Sequence, residues 1–186
     1  MESVGAILSH TPVWVYILFG FLVSRGIKAL KPGEASPARL AVVPALLTAW
    51  GLYDLVRLYG VQPGSVLPWV GAVAIGAAFG WMLLRFKPIE ADRVRGVIRR
   101  PADFTVLPLV LLAFAVKYSF GVMAALSPAL LMQARFRLAD LALSGLLAGI
   151  FLGKFAVYLT RYLAQPVPPP TEAGTTPQAP RSSTPE

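Results

Sequence analysis

Lys117 stands inside the apolar run LLAFAVKYSFGV, and Asp54 inside the run AWGLYDL. A charge placed in hydrocarbon is costly, so each calls for a partner. Lys117 is about nine residues from one end of its run, roughly 13 Å deep at about 1.5 Å per helical residue. Asp54 is about five residues from the corresponding end of its own run, so the two charges can meet at similar depth. Tyr53, Tyr118 and Trp50 lie near that depth, and Arg57 follows Asp54 by three residues on the same helical face. Lys117, Asp54, Tyr53, Tyr118 and Arg57 therefore form a candidate intramembrane polar cluster. One reading is structural: an ion pair fixing two helices, or a lysine snorkelling outward. The other is a polar pocket for a small ligand or a proton path.

Lys154, in AGIFLGKFAVYL, is a second charge in an apolar run, with Tyr158 one turn further on. No acid on its own helix reaches it, so snorkelling to the nearer surface is the expectation. His10 is the single histidine and there is no cysteine. One histidine alone provides neither a zinc site nor paired haem ligation, so no metal or cofactor is implied. No Ser-His-Asp set, phosphate loop or paired-carboxylate site is visible, and no enzyme activity is assigned.

Gly145, Gly149 and Gly153 recur every four residues, preceded by Ala142, and Ala72, Gly76 and Gly80 form a similar stripe. Small residues on one stripe let helices approach closely. The two stripes are expected to meet within the chain, or else to form a homodimer face.

These residues need elements to carry them. The chain has 186 residues, 56% hydrophobic and 14% charged. Soluble domains average about 45–50% apolar and about 25% charged, so lipid is the expected solvent. Five runs, at residues 12–30, 40–59, 66–86, 104–126 and 138–163, approach the roughly 20 apolar residues a membrane helix needs. The expected fold is an all-α bundle of five transmembrane helices over residues 1–164, with a Pro-rich, disordered cytoplasmic tail over 165–186. No secretory signal is apparent, so the first run is read as a retained helix.

The net charge is +8, and its placement speaks for membrane orientation rather than nucleic acid. Arg25, Lys28, Lys31 and Arg39 lie between the first two runs, and Arg85, Lys87, Arg93, Arg95, Arg99 and Arg100 between the third and fourth. Arg161 and Arg181 follow the fifth, against Arg57, Arg135 and Arg137 on the other side. The positive-inside rule then sets the N-terminus outside and the C-terminus in the cytoplasm. Trp14, Trp69 and Trp81 lie near helix ends, as interfacial rings do. The stretch SPALLMQARFR suits a short interfacial helix or a loop. The loop EADRVRGVIRRPADF suits a small hairpin or contact with anionic headgroups.

At an offset of 56 residues, Pro12, Gly20, Lys31, Pro32, Glu34 and Ala35 match Pro68, Gly76, Lys87, Pro88, Glu90 and Ala91. Two related hairpins of the same orientation plus a fifth helix would explain it, a parallel-repeat plan that some transporters use.

The His10-Thr11-Pro12-x-Trp14 start and the Lys117–Tyr118 pair followed by Gly121 resemble a family of small bacterial inner-membrane proteins of unknown function. The resemblance spans roughly residues 6 to 163 and excludes the tail. It implies a five-helix fold in the bacterial cytoplasmic membrane, and draws attention to His10, Lys117 and Tyr118 without implying an activity. The expected partners are the lipid bilayer and a second copy or another membrane protein, not nucleic acid. The expected role is a non-enzymatic assembly or accessory component, with a small transporter or channel-like unit as the alternative.

Overall fold

Proline and glycine set the helix ends of this chain, and its apolar runs set the helix lengths. The structure, a computed structural model, describes residues 13–93 and 95–165, the Trp14 side chain excepted. His10, Thr11, Pro12 and the tail beyond Gln165 lie outside the described residues. Five helices run through it: α1 (Val13–Ala29), α2 (Pro37–Asp54), α3 (Pro63–Leu84), α4 (Val106–Leu126) and α5 (Ala134–Ala164). Four stretches are long and apolar enough to cross a membrane: Pro37–Tyr59, Pro63–Leu84, Val106–Leu126 and Ala134–Ala164. Helix α1 is described over 17 residues. The chain is thus mostly helical, as a multi-pass membrane bundle requires.

Pro37 starts α2 behind Ser36, whose Oγ accepts from the Arg39 amide at 3.4 Å. Proline suits this position because its missing N–H would have no helical partner there. At its other end α2 passes into one π-helical turn, Leu55–Tyr59, and stops at Gly60 with φ of 74°. That backbone conformation favours glycine. A π turn rotates the chain less per residue than an α turn. Asp54 and Tyr59 would lie about 140° apart on an α-helix at about 100° per residue. The wider turn brings both onto one face.

Helices α3 and α5 pack in the same direction along the two small-residue stripes. A methyl at Gly149 would collide with the Val73 carbonyl, and one at Gly153 with the Ala77 carbonyl. In return, methyls at Gly76 and Gly80 would meet the Leu146 and Ile150 carbonyls. The stripes therefore meet within the chain, backbone against backbone. Ala142 is exposed and takes no part. Trp69, expected at the interface, is instead buried with Leu55, Tyr59 and Leu141. Its ring fills the space left by Gly51, so a packing need outweighs the interfacial preference.

Helix α5 is the hub. Two thirds (67%) of its apolar window is buried, against 22%, 17% and 17% for α2, α3 and α4. One end of the bundle carries a small antiparallel sheet of β1 (Gly33–Ala35), β2 (Glu90–Asp92) and β3 (Val97–Arg100), ordered β1-β3-β2. Strands β2 and β3 are the hairpin allowed for in the arginine-rich loop. Their pairing with β1 ties it to the loop before α2. Ile98, fully buried, seats the sheet on Leu84, Val157 and Tyr158. Glu34 and Glu90 both lie opposite Arg99, and Ala35 and Ala91 both opposite Ile98. These are matched positions of the 56-residue offset. The opposite, far end holds the π turn and a short 3-10 helix, Pro128–Met132, within the stretch expected to be an interfacial helix or a loop.

Candidate functional site

Each end of the bundle holds a buried charge cluster, and α5 contributes to both. At the far end, Lys117 on α4 meets Asp54 at the end of α2, Nζ to Oδ2 2.5 Å. Asp140 on α5 lies 3.6 Å from the same ammonium. The Tyr59 hydroxyl donates to the other Asp140 oxygen at 2.9 Å. All but Asp54 are buried, and the Asp54 side chain is 20% exposed. Two carboxylates thus share one lysine, and Asp140 alone also accepts from the phenol.

The other expected members of this cluster lie elsewhere. Arg57 donates to the Tyr53 hydroxyl at 3.1 Å, and both are exposed on the outside of α2. Tyr118 stacks on Phe114, which in turn packs on Phe19 of α1. Trp50 lines the space beside Lys117, which measures only about 10 Å³. A water needs about that much, so a solute does not fit.

Asp140 and Tyr59 are the members that sequence reasoning missed. Asp140 lies six residues into α5, near the depth of Lys117, and comparing depths across helices would have found it. Tyr59 reaches it only because of the π turn, which no local pattern announces.

At the sheet end, Lys154 does not snorkel. It is 4% exposed, and its ammonium lies 2.6 Å from Asp103 Oδ2. It also donates to the Thr105 hydroxyl at 2.6 Å, and that hydroxyl donates to Asp103 Oδ1 at 2.7 Å. The partner comes from the loop before α4, which a search along α5 alone cannot reveal. Lys87 approaches the same carboxylate at 3.7 Å. Burial alone would raise the Asp103 pKa, but the Lys154 and Thr105 hydrogen bonds and the charges of Lys154 and Lys87 outweigh it, holding it below the usual carboxylate range.

Asp140 and Lys154 are 14 residues apart on α5, about 21 Å at about 1.5 Å per residue. Between them Leu147, Ala148 and Phe151 pack against Leu22, Val43, Leu47, Val110 and Ala113. This apolar layer separates the clusters. Among the described residues, no group of His, Cys, Asp and Glu is arranged to hold a metal ion.

No family model, curated protein or solved structure matches the chain. These comparisons therefore add no relative whose activity bears on either cluster.

Proposed function

We propose that this is a multi-pass protein of the bacterial cytoplasmic membrane that acts as a non-catalytic assembly or accessory component. Its N-terminus lies outside and its sheet end faces the cytoplasm, in keeping with the arginines and lysines gathered there. The carrying observation is the uneven burial of the helices. Helix α5 is wrapped by its neighbours, while only about a fifth of the apolar windows of α2, α3 and α4 is buried within the chain. Lipid can cover such faces, and so can the helices of a partner. The charge clusters support this reading as locks: each joins α5 to another part of the bundle and has an ion-pair partner in place.

Photo-crosslinking from exposed apolar positions tests it. Probes at Ile75, Met82 and Leu112, 67%, 57% and 52% exposed, are expected to give an adduct of fixed mass with another membrane protein or a second copy. Lipid adducts alone from all three would contradict the assembly role.

A second reading is favoured by one detail, the sharing of Lys117 between two carboxylates, Asp54 and the buried Asp140, an arrangement that can hold and release a proton. As a small transporter or channel-like unit, the protein would carry ion or solute flux in proteoliposomes, abolished by Lys117→Met. The 56-residue correspondence around β3 supports a parallel repeat of the α1–α2 and α3–α4 hairpins, a plan compatible with either role.

A further inference from the structure

A cavity of about 220 Å³ opens at the sheet end, with walls from α1, α2, α5 and the β-sheet. Five basic side chains border it, Arg25, Lys28, Arg39, Arg100 and Lys154, against two acids, Glu34 and Asp103. Both acids are already engaged. Glu34 is held by Arg95 and Arg99 at 3.2 and 2.9 Å, and Asp103 by Lys154. Arg100 is occupied too, donating to the Lys28 and Ala29 carbonyls at the end of α1. Among the described residues, no carboxylate pairs with Arg25, Lys28 or Arg39. The rim thus has positive charge in excess, and an anion is the ligand it lacks.

The rest of the wall has the opposite character. Val43, Pro44, Phe151 and Phe155 form an apolar side reaching toward the bundle core. Helix α1 packs chiefly on α4 and α2 chiefly on α5, so α1 and α2 scarcely touch, and residues of both line the cleft. Its volume is below the roughly 300–1,000 Å³ of pockets that enclose a small molecule. A headgroup fits, with the remainder of the ligand outside.

We propose that this cleft binds the phosphate headgroup of an acidic glycerophospholipid, with an acyl chain lying against the Val43, Pro44 and Phe151 wall. Arg39 and Lys28 contact the phosphate, Arg39 through its planar fork. A free phosphate would satisfy the rim but leave the apolar wall unused. The inference rests on the membrane-spanning reading, and detergent-phase partitioning of the same preparation tests that premise separately.

The test is native mass spectrometry of the full chain in mild detergent with equal amounts of phosphatidylglycerol and phosphatidylcholine. Phosphatidylglycerol adducts are expected to dominate. The double variant Lys28→Gln, Arg39→Gln is expected to lower their retention about thirtyfold, as loss of two near-surface charges implies. Neither residue has an ion-pair partner within the described protein, so an unchanged Tm is expected to confirm that the variant folds. Arg57→Gln, at the far end, is expected to leave retention as it was. Equal retention of the two lipids, or full retention by the double variant, would overturn the proposal. So would displacement of phosphatidylglycerol by millimolar inorganic phosphate, which would assign the rim to a soluble phosphate.

Discussion

The two ends of α5 use the same device, a lysine buried against an aspartate from another part of the chain, in different settings. At the far end Lys117 is shared by two carboxylates, Asp54 and Asp140, and the adjoining space is about 10 Å³. At the sheet end Asp103 is shared by two lysines, Lys154 and Lys87, beside a cleft of about 220 Å³. The first cluster carries acid in excess and has little space beside it; the second carries base in excess and borders a cleft some twenty times larger. The difference lies in the loops. A π turn and a short 3-10 helix lie at the first, while a sheet spanning two loops borders the cleft at the second. A buried ion pair by itself therefore says little about function. What surrounds it decides whether a ligand has room.

The largest effects are expected from breaking either pair. Lys117→Met and Lys154→Met should each cost about 3–5 kcal/mol, because buried carboxylates lose their counter-charge. Thermal unfolding in detergent measures both. Removing the acid as well should separate the two ends. Lys154→Met with Asp103→Leu should recover most of the loss. Lys117→Met with Asp54→Leu should recover less, because Asp140 remains unpaired.

Gly153→Ala comes next, at about 1–3 kcal/mol or more, since a methyl there meets the backbone of α3 and not a movable side chain. Gly121→Ala, where a Cβ meets nothing within 4 Å, should be neutral or slightly stabilising by the same measurement.

A smaller effect should follow from pH. The folded-state pKa of Asp103 is lowered, so its contribution is fully present above the unfolded value of about 3.9. It is lost as pH falls through the depressed folded value. Unfolding between pH 8 and 5 should owe no change to this group, and a Tm scan of Asp103→Asn should lack part of the steep loss below about pH 4. Smallest of all is Arg99→Gln. Arg99 bridges Glu34 and Glu90 at the surface, its side chain 62% exposed, so the Tm should not move measurably.

The apolar runs were enough to locate the helices. The run at 40–59 corresponds to Pro37–Tyr59, and the run at 138–163 to Ala134–Ala164. Length and hydropathy are properties of contiguous residues, so a single sequence carries them. The glycine stripes were legible for the same reason, because a spacing of four defines a face. The Lys117–Asp54 contact was reachable from depth alone. Strands of three and four residues were not, being too short to show an alternation. Nor were the partners of Lys154 and Asp140, because which helices neighbour α5 is set by packing between distant segments. Trp69 shows the same limit: its place in the core depends on Gly51 of another helix.

The chain has no cysteine, which gives a clean background for locating its two ends. Single replacements Gln62→Cys, in the turn before α3, and Arg95→Cys, in the β2–β3 hairpin, should be exposed to intact cells to a maleimide that cannot cross membranes. Labelling of the first in intact cells, and of the second only after permeabilisation, is the expected result. Labelling of Arg95→Cys without permeabilisation would contradict a membrane-spanning bundle whose sheet faces the cytoplasm.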